Sequence, residues 1–180
     1  MSLIKHIALI LLIGMHAPMP EQAQVTREYQ LKAAFLYNFC QFVDWPANAF
    51  TRNDEPLIIG VFGDNPFGHY LDETVKGEKI DQHPIVVKYY DNNENGKCHL
   101  AFIALNDPEQ SSEIVKTLKG KSTLTIGDQR WFLEQDGMIR FVNSDNKIRF
   151  QINVDAVKEA GLEVSSKLLR LADIYASSKN

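Results

Sequence analysis

Cysteine and histidine are scarce in this chain, with two of the former and five of the latter among 180 residues. Cys98 and His99 are adjacent on a candidate strand, so their side chains point to opposite faces and cannot share an ion. His69 and His83 have no partner at ligand spacing, and no metal or other cofactor is expected. A basic excess is missing as well: 19 Lys and Arg face 23 Asp and Glu, for a net charge of -4. Without such an excess, no nucleic-acid partner is expected. Long apolar runs are also missing. The longest, "HIALILLIGM" after Lys5, is well short of the roughly 20 residues that span a bilayer.

That short run has the layout of a secretory leader: a charged start, an apolar stretch, then the polar "HAPMPEQAQ". Ala23 is the expected last residue of the leader, although Glu21 fits poorly two positions before it. The expected organisation is therefore a signal peptide over 1–23 and one domain over 24–180, exported to the periplasm. In that compartment Cys40 and Cys98 are free to bridge if geometry allows, or to remain two buried thiols.

Hydrophobic spacing sets the fold class. "TREYQLKAAFLYNFCQFVDWP" reads as a helix with Leu31, Phe35, Phe39 and Phe42 on one face, Thr26 as cap and Pro46 as stop. "PLIIGVFG", "HPIVVKYY", "CHLAFIAL" and "STLTIGD" are apolar enough to be strands of a largely parallel, buried sheet. Between them, "PFGHYLDETVKG" and "DPEQSSEIVKTLKG" read as helices, the second with Asp107 as cap, Pro108 in the first turn and Gly120 past the end. "GMIRFV" and "NKIRFQINV" alternate in polarity, as an antiparallel hairpin with one wet face. Two short helices follow, "DAVKEAG" and "SSKLLRLADIYA", the latter capped by Ser165 or Ser166. The expected class is a single α/β domain: a mixed, mainly parallel sheet, helices on both faces and a hairpin at one edge.

The glycine-rich "GVFGDNPFG" resembles a phosphate loop only at first sight. Gly60, Gly63 and Gly68 lack the spacing of either nucleotide motif, and no Lys-Ser or Lys-Thr follows. The stretch reads as a turn, with Asp64 or Asn65 capping the next helix and Gly63 at positive φ. Ser165, Ser166 and Lys167 read as the start of a helix rather than a serine–lysine pair, and no two carboxylates are set up for acid–base work. The sequence therefore points away from an enzyme and toward a binding domain. Arg140, Lys147 and Arg149, with Lys167 and Arg170, form a candidate basic strip.

The segments "EYQLKAAFLYNFCQFVDWP", "PLIIGVFGDNPFG", "CHLAFIAL", "LTIGD" and "GMIRFVNSDNKIRFQINVDAVKEAGLEVSSKLLRLA" together resemble the YfiR-like family of periplasmic proteins. The resemblance runs from about Glu28 to Ala172. It implies a non-catalytic repressor, acting as a homodimer on the periplasmic sensor region of an inner-membrane signalling protein, a diguanylate cyclase. Lowered cyclic di-GMP and less biofilm would follow. The partner-facing residues expected on this reading are Arg149, Ser166, Lys167 and Arg170. The family commonly carries a cysteine near the position of Gly60, paired with the one at Cys98, so this chain departs from the pattern there. The alternative reading is a periplasmic small-molecule sensor that reports to another receptor or kinase, with an apolar pocket near Phe67 and Trp131 at the carboxyl ends of the strands.

Overall fold

The computed structural model describes residues 21–91, 96–144 and 147–176. Most of the expected leader, and parts of the "DNNENGK" and "NSDN" loops, lie outside the described residues. Helix α1 (Glu21–Phe42) is followed by β1 (Val43–Asp44), β2 (Leu57–Gly63), α2 (Tyr70–Val75), β3 (Lys79–Ile80), β4 (His83–Tyr90), β5 (Leu100–Ala104) and α3 (Pro108–Leu118). Then come β6 (Leu124–Gly127), β7 (Ile139–Ser144), β8 (Lys147–Ile152), α4 (Val154–Glu159), β9 (Glu163–Val164), α5 (Ser166–Leu169) and β10 (Asp173–Ile174).

Eight strands make one mixed sheet in the order β10-β8-β7-β6-β5-β2-β4-β3, and β1 pairs with β9 in a separate ribbon. Strands β4, β2, β5, β6 and β7 run parallel. The residues of β2, β5 and β6 are almost all buried because layers cover both faces. On one face, α1, α2, α4 and α5 enclose Leu36, Phe39, Leu71, Val157 and Leu168 with Phe102, Phe141 and Phe150. On the other, Ile114, Val115 and Leu118 of α3 pack with Phe132 and Leu133 over Phe62 and Ile103. This is the expected α/β class, with helices on both faces.

The buried stripe of α1 is rotated from the expected one. It comprises Lys32, Ala33, Leu36, Phe39 and Cys40, whereas Leu31 is 46% exposed. Small Ala33 and Cys40 let the helix approach the sheet, while Phe35 sits at the margin against Phe141 and Phe150. Thr26 lies inside the helix rather than at its cap. The helix stops at Phe42, not at Trp45, because Val43 and Asp44 extend to pair with Val164 and Glu163.

The hairpin forms as expected, with Phe141 opposite Phe150, and Phe150 and Ile152 are buried while Lys147 and Arg149 are exposed. It is not the last element of the sheet, however. The helix expected over "SSKLLRLADIYA" lasts one turn, Ser166–Leu169, with Ser165 as its cap. Asp173 and Ile174 then join β8 as a parallel strand, and the Tyr175 N–H donates to the Ile152 carbonyl. The open hydrogen-bonding edge of β8 outweighs a helical preference that only a few residues express.

Candidate functional site

The carboxyl edge of the sheet is the usual ligand position in open α/β folds, and here it is filled by the protein itself. Gly63 takes φ +90, and a Cβ there would lie 2.7 Å from Leu105 Cδ2, so the ends of β2 and β5 are closed against each other. The Asn65 side chain accepts from Phe67 N–H and donates to the Gly68 carbonyl. It thus folds the turn and leaves His69, not Asp64 or Asn65, as the residue preceding α2. Phe67 is 1% exposed and packs edge-on against Tyr29 and Phe102. Trp131 is half-buried, in a loop whose Phe132 and Leu133 pack on the α3 side. Phe67 thus belongs to the α1-side core, while the residues that follow Trp131 pack on the α3 side.

Beside this edge lies an ion cluster that sequence reading missed. Lys32, 3% exposed, reaches Glu28 at 2.7 Å and Asp128 at 2.8 Å. The Tyr29 hydroxyl donates to Asp128 at 3.0 Å, and Asn143 Nδ2 donates to Glu28 at 3.1 Å. Burial, then the Asp128 carboxylate, pushes the Tyr29 hydroxyl upward from its ordinary value. The lysine and both carboxylates are mutually engaged, so the cluster anchors α1 to β6 and the hairpin. The available signal was Glu28 and Lys32 at i,i+4, with Lys32 next to the apolar face.

Both cysteines are free and buried. Cys40 belongs to the α1-side core and Cys98 to the α3-side core, so the sheet stands between them. Burial pushes both thiols up, Cys98 to about 12. The Gly60 position is indeed against Cys98: a Cβ placed there would lie 3.1 Å from both Cβ and Sγ of Cys98.

The basic strip divides. Arg140 is partly buried and donates through Nη1 to the Arg130 carbonyl at 2.7 Å. Arg149 alternates with Phe150 along β8 and so faces away from α1. Ser166, Lys167 and Arg170 are exposed around α5, whose Leu168 is anchored in the α1-side core. Because β10 pairs with β8, these cations flank one edge of the sheet from its two faces. Leu171 and Ile174 are 69% and 58% exposed along that edge. Among the described residues, Arg149, Lys167 and Arg170 have no ion-pair partner, and no three metal-ligating side chains converge anywhere. No helix of the described residues is long and apolar enough to cross a membrane.

A family model described as YfiR/HmsC-like matches residues 29–173. The chain belongs to the YfiR/HmsC-like family. That family comprises periplasmic regulatory, non-catalytic proteins of cyclic di-GMP signalling that act with membrane signalling proteins. No curated protein matches the chain. Among solved structures, the ABC domain in complex with L-Trp from Streptococcus pneumoniae is similar at TM-score 0.53 and 11% identity, over 79% of this chain and 59% of that one. A conserved domain protein from Vibrio cholerae O1 biovar El Tor is similar at TM-score 0.54 and 10% identity, over 81% and 59%. The chain thus spans under two thirds of either structure, and at such identities the likeness is one of fold.

Proposed function

We propose that this YfiR/HmsC-like protein is exported through a leader over residues 1–23 and represses an inner-membrane diguanylate cyclase by binding its periplasmic region. The observation that carries this reading is the outer sheet edge. There Leu171 and Ile174 are exposed, with the exposed Asp173 between them, beside Arg149, Lys167 and Arg170, which have no ion-pair partner among the described residues. An apolar centre with a charged rim is the usual anatomy of a protein-binding patch, and its sign fits an acidic partner surface. Ser166, exposed on the same turn, adds a hydroxyl to the rim.

Repression is a population shift. The protein binds the partner's inactive periplasmic conformation more tightly than its active one, and a tenfold preference corresponds to about 1.4 kcal/mol of coupling. The protein acts as a homodimer, whose two-fold axis presents the same edge twice. The test is charge reversal, Lys167→Glu with Arg170→Glu, measured against full-length cyclase in nanodiscs. Repression and binding should both be lost while the circular dichroism spectrum is unchanged. Undiminished affinity would remove these residues from the interface.

A further inference from the structure

The opposite, amino edge of the sheet is crossed by residues 45–55, and two histidines hold this strap. Phe50 lies between them, its ring stacked on His83 at 3.7 Å and on His99 at 4.3 Å between centroids. The Ile58 N–H donates to His99 Nδ1 at 3.0 Å, in a buried position. That nitrogen therefore carries no proton, and Nε2 donates to the Ala49 carbonyl at 3.2 Å. His83 Nδ1 donates to the Glu55 carbonyl at 2.6 Å, and Trp45 Nε1 donates to the His99 carbonyl at 3.2 Å. The strap separates two surface cavities, of about 500 and about 710 Å³, and Phe50 lines both.

We propose that residues 45–55 form an acid-released strap, with the neutral His99 imidazole as its catch. A proton on Nδ1 replaces the acceptor facing the Ile58 N–H with a second donor. The ring must then leave its place, and Ala49 and Phe50, which it holds, go with it. With Phe50 displaced, the two cavities become one cleft, floored by Leu57 at the start of β2. This regulation is separate from the partner-binding edge, which lies across the sheet at β8 and β10.

The groups around His99 make the catch specific. Burial disfavours the charged ring most, and the nearby Lys97 and His83 act in the same direction. The Ala49 carbonyl and the Glu55 carboxylate act in the opposite direction, and the net displacement is downward. Glu55 accepts from Lys97 Nζ at 2.8 Å and from the Thr51 N–H at 2.6 Å. These hydrogen bonds hold its carboxyl at about 2, so Glu55 stays ionised while His99 titrates. Cys98 and Thr123, which also line the strap's larger cavity, are neutral throughout this range. The other charged or titratable side chains lining the two cavities are Lys121 on that side and Asp44, Asp81 and His83 on the other.

The test is amide hydrogen exchange on the full chain at pH 7.5 and pH 5.0, corrected for intrinsic rates, together with an NMR titration of the His99 ring. Loss of one buried hydrogen bond should lower protection at Ile58 and across 47–51 on the order of tenfold at pH 5.0. Val115 and Leu118 in α3 should be unaffected. His99→Gln, which presents an amide that does not titrate, should abolish the pH dependence. Equal protection at the two pH values, or a pH dependence that persists in His99→Gln, would overturn the proposal. If that variant does not fold, the wild-type titration decides alone: a His99 midpoint below 6.5 coinciding with the loss of Ile58 protection supports the catch, and one at or above 6.5 overturns it.

Discussion

Lys32 offers the most quantitative test of how α1 is held on the sheet. Replacing it with methionine keeps most of the side-chain volume but removes the cation between Glu28 and Asp128, 2.7 and 2.8 Å away. Two carboxylates then face each other beside the Tyr29 hydroxyl. Breaking a buried ion pair this way costs about 3–5 kcal/mol. Glu28 and Asp128 keep 24% and 20% of their side-chain surface, so water softens the penalty and the low end, about 3 kcal/mol, applies. For a domain of this size that is a fall in Tm of roughly 6–12 °C. Urea unfolding should show a lower midpoint at an unchanged slope. The triple variant Lys32→Met, Glu28→Gln, Asp128→Asn should recover most of the loss, because no unpaired charge remains. A Lys32→Met protein within about 1 kcal/mol of wild type would refute the view that this cluster anchors the helix.

Three further outcomes follow from the same geometry. Gly60→Cys should form a disulfide with Cys98 under mild oxidation: the new Cβ lies 3.1 Å from that of Cys98 and 3.0 Å from Tyr90 Cε2. The Tyr90 ring must therefore give way while the two Cβ atoms separate by a few tenths of an ångström to reach the bonding range of about 3.5–4.5 Å. Thiol titration should leave only Cys40, and the oxidised form should gain up to about 4 kcal/mol over the reduced one; three persistent thiols would refute the placement. Asp107→Ala removes a cap whose Oδ1 accepts from Glu109 and Gln110 N–H at 2.8 and 3.1 Å, and urea unfolding should register a loss of about 1 kcal/mol. His99 is displaced downward from its ordinary 6.5 by burial, so the unfolded chain binds the proton first as pH falls. Stability should therefore decline below about pH 6.5 and level off once the folded ring is protonated, a decline that unfolding curves of His99→Gln should lack.

The parts of the fold that could be read from sequence are those with local causes. The apolar runs of β2, β5 and β6 identify buried strands, Asp107 and Pro108 mark the start of α3, and the alternation around Phe150 marks the hairpin. The parts that could not be read depend on distant partners. Helix α1 ends early because Val43 meets Val164, and the C-terminal helix shortens because β8 offers an unpaired edge to Asp173 and Ile174. Lys32 is buried only because Asp128, 96 residues away, is brought to it. Likewise, His83 and His99 look isolated in the chain and meet only through the ring of Phe50 between them. At the proposed partner-binding edge, the cations were legible as residues. The exposure of Leu171 and Ile174 beside them was not, since it follows from the unexpected strand β10.

The most direct measurement of the proposed function is the affinity of the full-length protein for the membrane-anchored diguanylate cyclases of the same cell, each held in nanodiscs, with cyclase activity followed in parallel. Wild type should bind one of them and lower its output of cyclic di-GMP. Lys167→Glu with Arg170→Glu, folded as judged by its unfolding curve, should weaken binding by at least about tenfold, or 1.4 kcal/mol, and restore the output. Repression by the double variant equal to that of wild type would contradict the proposed interface, and failure of wild type to bind any of these cyclases would contradict the function itself.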